Sequence, residues 1–362
     1  MSGKPVRVLV VDDSALMRKM IPQLLQQDPD IEVVGTAMDG LFALKKMGEL
    51  QPDVVTLDID MPRMDGIETL RRIMAEFGTP TVMVSSLSKQ DAELTFQALE
   101  IGAFDYVTKP QDAISVHIAE IGTELIAKVK AARENPLARL RKVRTGILPK
   151  LRQKPAPSMP KTDAERVLAI GISTGGPNAL SELLPRIPRN FPAAILIVQH
   201  MPAGFTEMFA SRLDSLSSVE VREAREGDQV QPGRVLIAPG NRHLKVKRMP
   251  RGAITVLSDA PPVSGHRPSA DVLFRSVAAE YGEQATGLIM TGMGYDGADG
   301  IGEIKARGGR TIAQEGSSCV VYGMPKSAIE RGHISDVVPL EELDGFLINH
   351  FSAHEVKHDA KC

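Results

Sequence analysis

The chain has little cysteine, few aromatic residues and no long hydrophobic run. Its 362 residues include two cysteines, no tryptophan and 4% aromatic residues. Cys319 and Cys362 cannot build a disulfide framework, and the longest apolar run, residues 193–198, is far shorter than the roughly 20 residues of a membrane-spanning helix. A secretory signal is not expected either, because Asp12 and Asp13 follow a single short apolar run. We therefore expect a cytoplasmic, reduced protein without direct membrane insertion.

Charge is nearly balanced over the whole chain but not along it. Lysine and arginine total 43 and aspartate and glutamate total 45, so the formal net charge is −2, which argues against a nucleic-acid partner. Residues 136–161 carry eight basic side chains, five prolines and no acidic side chain. Prolines and like-charge repulsion favour an extended chain, so we interpret residues 136–164 as a basic linker. A solvated tether is the favoured interpretation, and a nucleic-acid or membrane patch is the alternative.

The first 135 residues alternate between apolar, β-branched runs and amphipathic runs. Buried apolar strands separated by helices are typical of a parallel sheet, so five β–α units predict a doubly wound, flavodoxin-like α/β domain over residues 1–135. The predicted strands are residues 6–11, 31–37, 54–57, 81–84 and 104–107, and the predicted helices are residues 14–27, 40–50, 66–77, 90–101 and 112–133.

The alternation resumes after the linker and predicts a second doubly wound, mostly parallel α/β domain over residues 165–350. Residues 351–362 are interpreted as a polar, histidine-containing tail. The predicted strands are residues 166–172, 193–199, 234–238, 253–257, 285–290 and 310–313, and the predicted helices are residues 177–185, 205–216, 270–281, 298–307, 325–331 and 340–350.

Polar side chains stand where four strands of the first domain end. Asp12 and Asp13 end the first strand, Asp58 the third, Ser85 the fourth and Lys109 the fifth. The carboxyl ends of parallel strands meet at one sheet edge, and three carboxylates there need a cation, for which Mg²⁺ suits oxygen ligands. One carboxylate can then attack phosphorus while the lysine and the hydroxyl hold the phosphoryl oxygens. The alternative for any single acid is a helix N-cap.

These strand ends resemble the motifs of a response-regulator receiver domain. The matching stretches are residues 11–14, 57–62, 65–66, 83–86 and 108–110. The resemblance covers about residues 5–130 and implies phosphorylation by a histidine kinase. It implies Asp58 as the phosphoacceptor, Mg²⁺ held by Asp12, Asp13, Asp58 and the backbone carbonyl of Asp60, and Ser85, Tyr106 and Lys109 as switch residues.

The second domain begins with a strand that runs into a glycine-rich turn around Ser173. Such a turn suits either phosphate binding or a serine nucleophile, but Ser173 occupies the second glycine position of a dinucleotide fingerprint and the P-loop lysine is missing. His200 ends the next strand and Asp296 lies in another glycine-rich turn, so a base and an orienting acid share the sheet edge. The order Ser, His, Asp differs from that of an α/β-hydrolase. A structural histidine and an N-cap aspartate are the alternatives.

This arrangement resembles the catalytic domain of the chemotaxis protein-glutamate methylesterases. The matching stretches are residues 171–177, 199–202, 239–243, 266–269, 290–297 and 321–325. The resemblance implies Ser173 as nucleophile, His200 as general base and acid, Asp296 as the residue that orients His200, and an oxyanion hole built by the backbone N–H groups of Thr174 and Met293. Tyr295 departs from the family, which often has a small or amide residue there.

A receiver followed by this domain is the architecture of that family, and it implies the function. We expect hydrolysis of glutamate γ-methyl esters on the cytoplasmic domains of methyl-accepting chemoreceptors, with release of methanol, and deamidation of receptor glutamines by the same triad. A chemotaxis histidine kinase is the expected partner, Mg²⁺ the cofactor of the receiver, and the esterase reaction needs none. We expect a monomer in which phosphorylation of Asp58 relieves inhibition by the receiver.

Four alternatives remain beside this hypothesis. The second domain could be a partner-binding module without catalytic activity. It could also be the DNA-binding domain of a regulator, although its size and its net negative charge disfavour DNA binding. His266 is a rival to His200 as the base. The residues His354 and His358 form an H-E-x-x-H pattern that His350 extends, but too few residues follow for a third zinc ligand.

Overall fold

The chain folds into two compact units. The computed structural model describes residues 4–86, 88–109, 117–134 and 164–352. The units are residues 1–146 and 147–362, and the division falls inside the predicted linker. Residues 136–163 of that linker lie outside the described residues, but Ala164, its predicted last residue, is buried in the core of the second unit. None of the helices in the described parts of the chain is both long enough and apolar enough to cross a membrane.

The first unit contains a five-stranded parallel sheet with the order β2-β1-β3-β4-β5. Four of its strands are fully or mostly buried because helices cover both faces, which explains their continuous apolar sequences. The exception is β2, which lies at an edge of the sheet and is only partly buried. The doubly wound prediction is confirmed. The strands are β1 (Val6–Val11), β2 (Ile31–Ala37), β3 (Val54–Asp58), β4 (Thr81–Ser85) and β5 (Asp105–Thr108), and the helices are α1 (Met17–Leu25), α2 (Gly40–Leu50), α3 (Gly66–Arg72), α4 (Lys89–Ile101) and α5 (His117–Glu134).

The second unit contains a seven-stranded sheet in which every pairing is parallel, with the order β14-β13-β12-β6-β7-β9-β8. Two further strands, β10 and β11, form a separate antiparallel pair. The mostly parallel prediction is confirmed. The strands are β6 (Val167–Ile172), β7 (Ala194–Gln199), β8 (Glu220–Glu223), β9 (Arg234–Ile237), β10 (His243–Arg248), β11 (Ala253–Ser258), β12 (Ala285–Ile289), β13 (Arg310–Gln314) and β14 (Asp336–Val338).

In the described part of this unit, six helices pack around the sheet. They are α6 (Gly176–Leu183), α7 (Phe205–Leu216), α8 (Ala270–Tyr281), α9 (Ala298–Ala306), α10 (Met324–Glu330) and α11 (Leu343–Ser352). Helix α8 lies close against β6, since a Cβ added at Gly171 would come within 2.7 Å of the Cβ of Ala270. Glycine at this position therefore lets the N-terminus of α8 reach the sheet edge where β6 ends.

The C-terminal helix extends past the predicted boundary at residue 350. Phe351 belongs to the core rather than to a polar tail, because it is 1% exposed and its ring lies 4.9 Å from that of Phe191. His350 also serves packing, with its Nε2 lying 3.0 Å from Thr286 Oγ1 and 3.0 Å from an Arg166 nitrogen. The other two histidines of the H-E-x-x-H pattern lie outside the described residues.

Candidate active sites

The strand-end acids of the first unit form a compact cluster. One carboxylate oxygen each from Asp12, Asp13 and Asp58 lies within 4.8 Å of the other two. Asp12 and Asp58 are buried and Asp13 is exposed, so the cluster opens to solvent on one side. Buried carboxylates at this separation repel each other, and a donor set of hard oxygens suits a divalent cation such as Mg²⁺. The exposed Asp60 lies two residues beyond β3, and its carboxylate is not part of this group.

Lys109 supplies the positive charge beside the cluster. Its Nζ lies 2.7 Å from Asp58 Oδ2 and 3.0 Å from Asp12 Oδ2. Burial raises the pKa of Asp58 to about 6; Lys109 opposes that rise and Asp12 adds to it. Burial would lower the pKa of Lys109, but Asp58 and Asp12 raise it overall. The single ammonium group of Lys109 therefore faces two carboxylates, and the cluster keeps a net negative charge.

Of the remaining predicted switch residues, Ser85 lies at the same edge of the sheet, whereas Tyr106 lies further inside it, paired with Met83 of β4. Ser85 is fully buried at the end of β4, where its Oγ lies 2.9 Å from the Thr95 hydroxyl. Tyr106 is also buried, at 5% exposure. Lys128 of α5 is also buried and contacts the backbone of Tyr106. Its Nζ donates to the Tyr106 carbonyl oxygen at 2.5 Å and forms an ion pair with Asp105 at 3.4 Å. Sequence reasoning missed Lys128, because a lysine within an amphipathic helix ordinarily predicts a solvated position.

Asp58→Asn is expected to stabilise the first unit at neutral pH in the absence of Mg²⁺. The folded-state pKa of about 6 exceeds the ordinary 3.8. The folded state therefore binds the proton more tightly, and stability falls as pH rises from about 4 to 6. The neutral amide removes this loss, so the free energy of unfolding should rise by about 1–3 kcal/mol at pH 7.5.

Urea denaturation of residues 1–135 at pH 5 and pH 7.5 measures this difference. Asp13→Asn, at the exposed acid of the same cluster, is the matched control and should change stability less. An Asp58→Asn protein less stable than wild type at pH 7.5 would show that the Lys109 ion pair outweighs the burial of Asp58.

Ser173 stands directly after β6, where the chain turns into α6. Gly175 takes the left-handed conformation of this turn at φ 76°, and a Cβ there would lie 2.4 Å from Val320 Cβ. Ser173 is half-buried and does not itself adopt a positive φ. The turn thus differs from the strained nucleophile elbow, as the order of the triad residues also indicates.

His200 follows β7, the neighbour of β6, so its backbone lies beside that of Ser173. Its Nε2 lies 2.7 Å from Asp296 Oδ2. A carboxylate only accepts hydrogen bonds, so Nε2 carries the proton and Nδ1 holds the free lone pair. Nδ1 is buried and has no hydrogen-bond partner among the described residues, Ser173 Oγ included. Such contacts often tighten only when substrate binds.

Asp296 is fixed by the N-terminus of a helix other than its own. Its Oδ2 accepts from the backbone N–H of Ala270 at 2.7 Å, and its Oδ1 accepts from the Ser269 hydroxyl at 2.7 Å and from the N–H of Asp271 at 3.3 Å. Burial alone would raise the pKa of Asp296, but these bonds and the one from His200 hold it below its ordinary value. The carboxylate is therefore ionised and aimed at the imidazole.

Sequence reasoning missed Ser269. A serine directly before a helix predicts an N-cap, but the Ser269 side chain makes no cap hydrogen bond and donates to Asp296 instead. The alternative interpretation of Asp296 was a cap for the helix that follows it, α9. The structure shows it capping α8, which only the tertiary fold brings near.

His266 contacts His200 rather than Asp296. The two rings stack with centroids 3.8 Å apart and an angle of 11° between their planes. Burial first, and His200 second, lower the pKa of His266 to about 4 against the opposite effect of Asp296. His266 is therefore neutral at physiological pH, and its stacked ring restricts rotation of the His200 imidazole.

Two backbone N–H groups beside Ser173 are free to bind an anion. Neither Thr174 N nor Met293 N has an acceptor among the described residues. The two loops meet closely, because a Cβ added at Gly292 would lie 2.8 Å from Ser173 Cβ. Tyr295, in the same loop as Met293, is 54% exposed, with the Arg331 guanidinium 5.8 Å from its ring centre. Tyr295 thus lies at the rim of the site.

The two units define the class of protein. A five-stranded α/β unit with a carboxylate and lysine site is joined, on one chain, to a parallel α/β unit that carries serine, histidine and aspartate at its carboxyl edge. Family models agree with this division: the response regulator receiver domain matches residues 8–119, and the CheB methylesterase matches residues 168–347.

Relatives of the whole chain carry one name. The chain is 55% identical over 360 residues to protein-glutamate methylesterase/protein-glutamine glutaminase 2 of Koribacter versatilis, covering 98% of this chain and 99% of that protein. It is 49% identical over 352 residues to protein-glutamate methylesterase/protein-glutamine glutaminase of Symbiobacterium thermophilum, covering 94% of this chain and 95% of that protein. The crystal structure of the Thermotoga maritima CheB methylesterase catalytic domain matches with a TM-score of 0.50 and 42% identity, over 51% of this chain and 97% of that one. The chain belongs to the protein-glutamate methylesterase/protein-glutamine glutaminase family, so the resemblance found in the sequence is confirmed.

Proposed function

We propose that the protein hydrolyses glutamate γ-methyl esters on the cytoplasmic domains of methyl-accepting chemoreceptors and releases methanol. The observation that carries this proposal is the 2.7 Å contact between His200 Nε2 and Asp296 Oδ2, made beside Ser173 in a chain that matches a methylesterase along its whole length. The same site supports deamidation of receptor glutamines, because only the leaving group changes from methanol to ammonia.

The reaction follows from the geometry of the second unit. Ser173 Oγ attacks the ester carbonyl while its proton passes to Nδ1 of His200, and Asp296 stabilises the imidazolium. The N–H groups of Thr174 and Met293 stabilise the oxyanion, which typically contributes about 3 kcal/mol per donor. The C–O bond to the methoxy group then breaks, and methanol leaves with the proton from His200. Water attacks the acyl-enzyme, again through His200, and gives the glutamate carboxylate and free Ser173.

The first unit accepts a phosphoryl group on Asp58 from a chemotaxis histidine kinase. The excess of carboxylates over Lys109 fits a divalent cation, and Asp12, Asp13, Asp58 and the Asp60 carbonyl would hold it. When bound, Mg²⁺ neutralises charge on the transferring phosphoryl group. Lys109 and the Ser85 hydroxyl hold the phosphoryl oxygens, and Tyr106 responds to the change at this edge.

The wider assignment rests on the family and on the two units. Residues 1–135 are the receiver and 136–163 the linker. The catalytic domain extends from 164 to 352, because Ala164 and Phe351 are both buried. The protein acts as a monomer in the cytoplasm, where the kinase and the receptor domains are found, and its esterase reaction uses no cofactor.

Methanol release from methylated receptor membranes tests the proposal, measured with and without a small-molecule phosphodonor and Mg²⁺. Release that rises with the phosphodonor, and an Asp58→Asn protein that does not respond, would support the esterase and its control together. Methanol release that does not rise with the phosphodonor would show that Asp58 does not control the esterase. No release from verified methylated receptor would favour a partner-binding module in place of the esterase.

Removal of residues 1–163 is expected to raise the basal rate of methanol release by about 10- to 100-fold. The receiver inhibits the esterase in the unphosphorylated state, and a 100-fold difference requires only about 2.7 kcal/mol between the inhibited and active states. The control is the full chain with phosphodonor, which should approach the truncated rate. A truncated protein no faster than the unphosphorylated full chain would contradict inhibition by the receiver.

A further inference from the structure

A buried glutamine connects the loops that carry Ser173 and His200. Gln199, the last residue of β7, is 2% exposed. Its Nε2 donates to the Ser173 carbonyl at 3.0 Å and to the His200 carbonyl at 3.1 Å. A single amide nitrogen thus uses both of its protons on the backbone of the nucleophile and of the base.

The sheet cannot hold these two residues together by itself. The β6–β7 ladder ends at the pair formed by Ile172 and Gln199. One further bond, from His200 N to the Ile172 carbonyl at 3.1 Å, lies at its end. Beyond it the chain after Ser173 turns into α6, while the chain after His200 leads to α7. The hydrogen bonds of the Gln199 amide connect the two chain segments just beyond the last backbone hydrogen bond of the ladder.

The surroundings of Gln199 leave room for its amide but, in the described parts of the chain, give its oxygen no partner. Its Oε1 is buried and has no hydrogen-bond partner among the described residues, which costs stability for an amide. A Cβ added at Gly176 would lie 2.0 Å from that oxygen. Glycine at the start of α6 therefore leaves the room in which the amide sits. An apolar residue at position 199 would avoid the unpaired oxygen but would lose both donors.

We propose that Gln199 is a positioning residue that fixes the backbones of Ser173 and His200 side by side, so that the hydroxyl and the imidazole can meet when substrate binds. The inference rests on the proposed esterase function and adds a residue to it. Gln199 touches neither the imidazole nor the reacting atoms, so its removal should lower kcat and leave KM and the pH profile unchanged. A misplacement of about 1 Å costs on the order of 100-fold in rate.

Gln199→Met removes both N–H donors and keeps a similar volume. We expect kcat for methanol release to fall 10- to 100-fold, with KM within twofold of wild type. The rate at which a fluorophosphonate labels Ser173, read by mass spectrometry, should fall by a similar factor. Gly176→Ala is the second variant: it leaves Gln199 in the sequence but displaces its amide, and should reproduce the loss.

The matched control is Thr311→Val at the opposite end of the sheet. Thr311 is fully buried, and its hydroxyl donates to the His333 carbonyl at 2.8 Å and accepts from Ser335 N at 3.0 Å. The control loses buried polar contacts of the same kind, so it should lower the melting temperature and leave kcat and labelling unchanged.

The outcomes separate this inference from the proposed function. If Gln199→Met and Gly176→Ala lower the melting temperature as Thr311→Val does, yet keep kcat and labelling within twofold of wild type, Gln199 is merely structural and the inference is overturned. A rise in KM at unchanged kcat would also overturn it. If wild type releases no methanol and Ser173 is not labelled, the proposed function itself fails. A Gln199→Met protein that does not fold leaves Gly176→Ala to decide.

Discussion

Ser173→Ala is expected to lower methanol release by about 10⁴-fold or more. The variant removes the hydroxyl that we propose forms the acyl-enzyme, and the neighbouring Thr174 is poorly placed to replace it because it is buried at 4% exposure. His200, Asp296 and the two N–H donors remain, so the residual rate reflects binding and the oxyanion hole alone, as is typical when a triad nucleophile is lost. The fold should be retained, because the Ser173 hydroxyl makes no hydrogen bond among the described residues.

The measurement is methanol release together with fluorophosphonate labelling. Ser211→Ala, at an exposed helix serine that bonds only to its own turn, is the matched control and should keep full activity. Loss of both signals in Ser173→Ala alone assigns the nucleophile. Methanol release that persists in this variant would place the nucleophile elsewhere, whatever the labelling shows.

Asp296→Asn is expected to lower kcat by about 10³- to 10⁴-fold. If the amide NH₂ takes the place of Oδ2, it donates to His200 Nε2, so the imidazole proton moves to Nδ1 and the base is lost. If the NH₂ takes the place of Oδ1, the His200 contact is retained without its charge, and the imidazolium is no longer stabilised. Either arrangement sets the NH₂ against a backbone N–H of α8, which costs about 1–3 kcal/mol of stability.

Activity per folded molecule checks this prediction, with the folded fraction taken from circular dichroism. Asp299→Asn, three residues further along and exposed, changes the same charge outside the site and should keep its activity. Activity of Asp296→Asn within tenfold of wild type would mean that the stacked ring of His266 alone orients His200.

The sequence was sufficient for the positions of the strand-end residues. Parallel strands place their carboxyl ends at one edge, so a strand that ends in Asp58 or His200 already locates that side chain. The strands missed were those with weak apolar signals. Strand β8 has one apolar residue, Val221, among four. Strand β10 contains Lys245, Lys247 and Arg248, and β14 has only three residues. The segment at 253–257 was assigned correctly as a strand, but it pairs with β10 outside the main sheet.

The sequence could not show which partner a side chain contacts once distant segments pack together. Ser269 has the sequence context of a cap and instead donates to Asp296. His266 could act as a base by its residue type, but its ring stacks on the ring of His200. Gln199 has no signal beyond its place next to His200. These contacts join residues between one and 66 positions apart in the sequence, and they depend on the close approach of helix or loop to strand that glycines such as Gly171 and Gly176 permit.

The imidazole of His200 meets its acid through the nitrogen that is farther from its own backbone. In chymotrypsin-like triads Nδ1 faces the acid and Nε2 faces the serine, whereas here Nε2 faces Asp296. The ring nitrogen left to receive a proton is therefore Nδ1, which adjoins the carbon that joins the ring to Cβ. Serine, histidine and aspartate can thus be combined through different atoms, and the residue types of a triad do not by themselves fix the path of its proton.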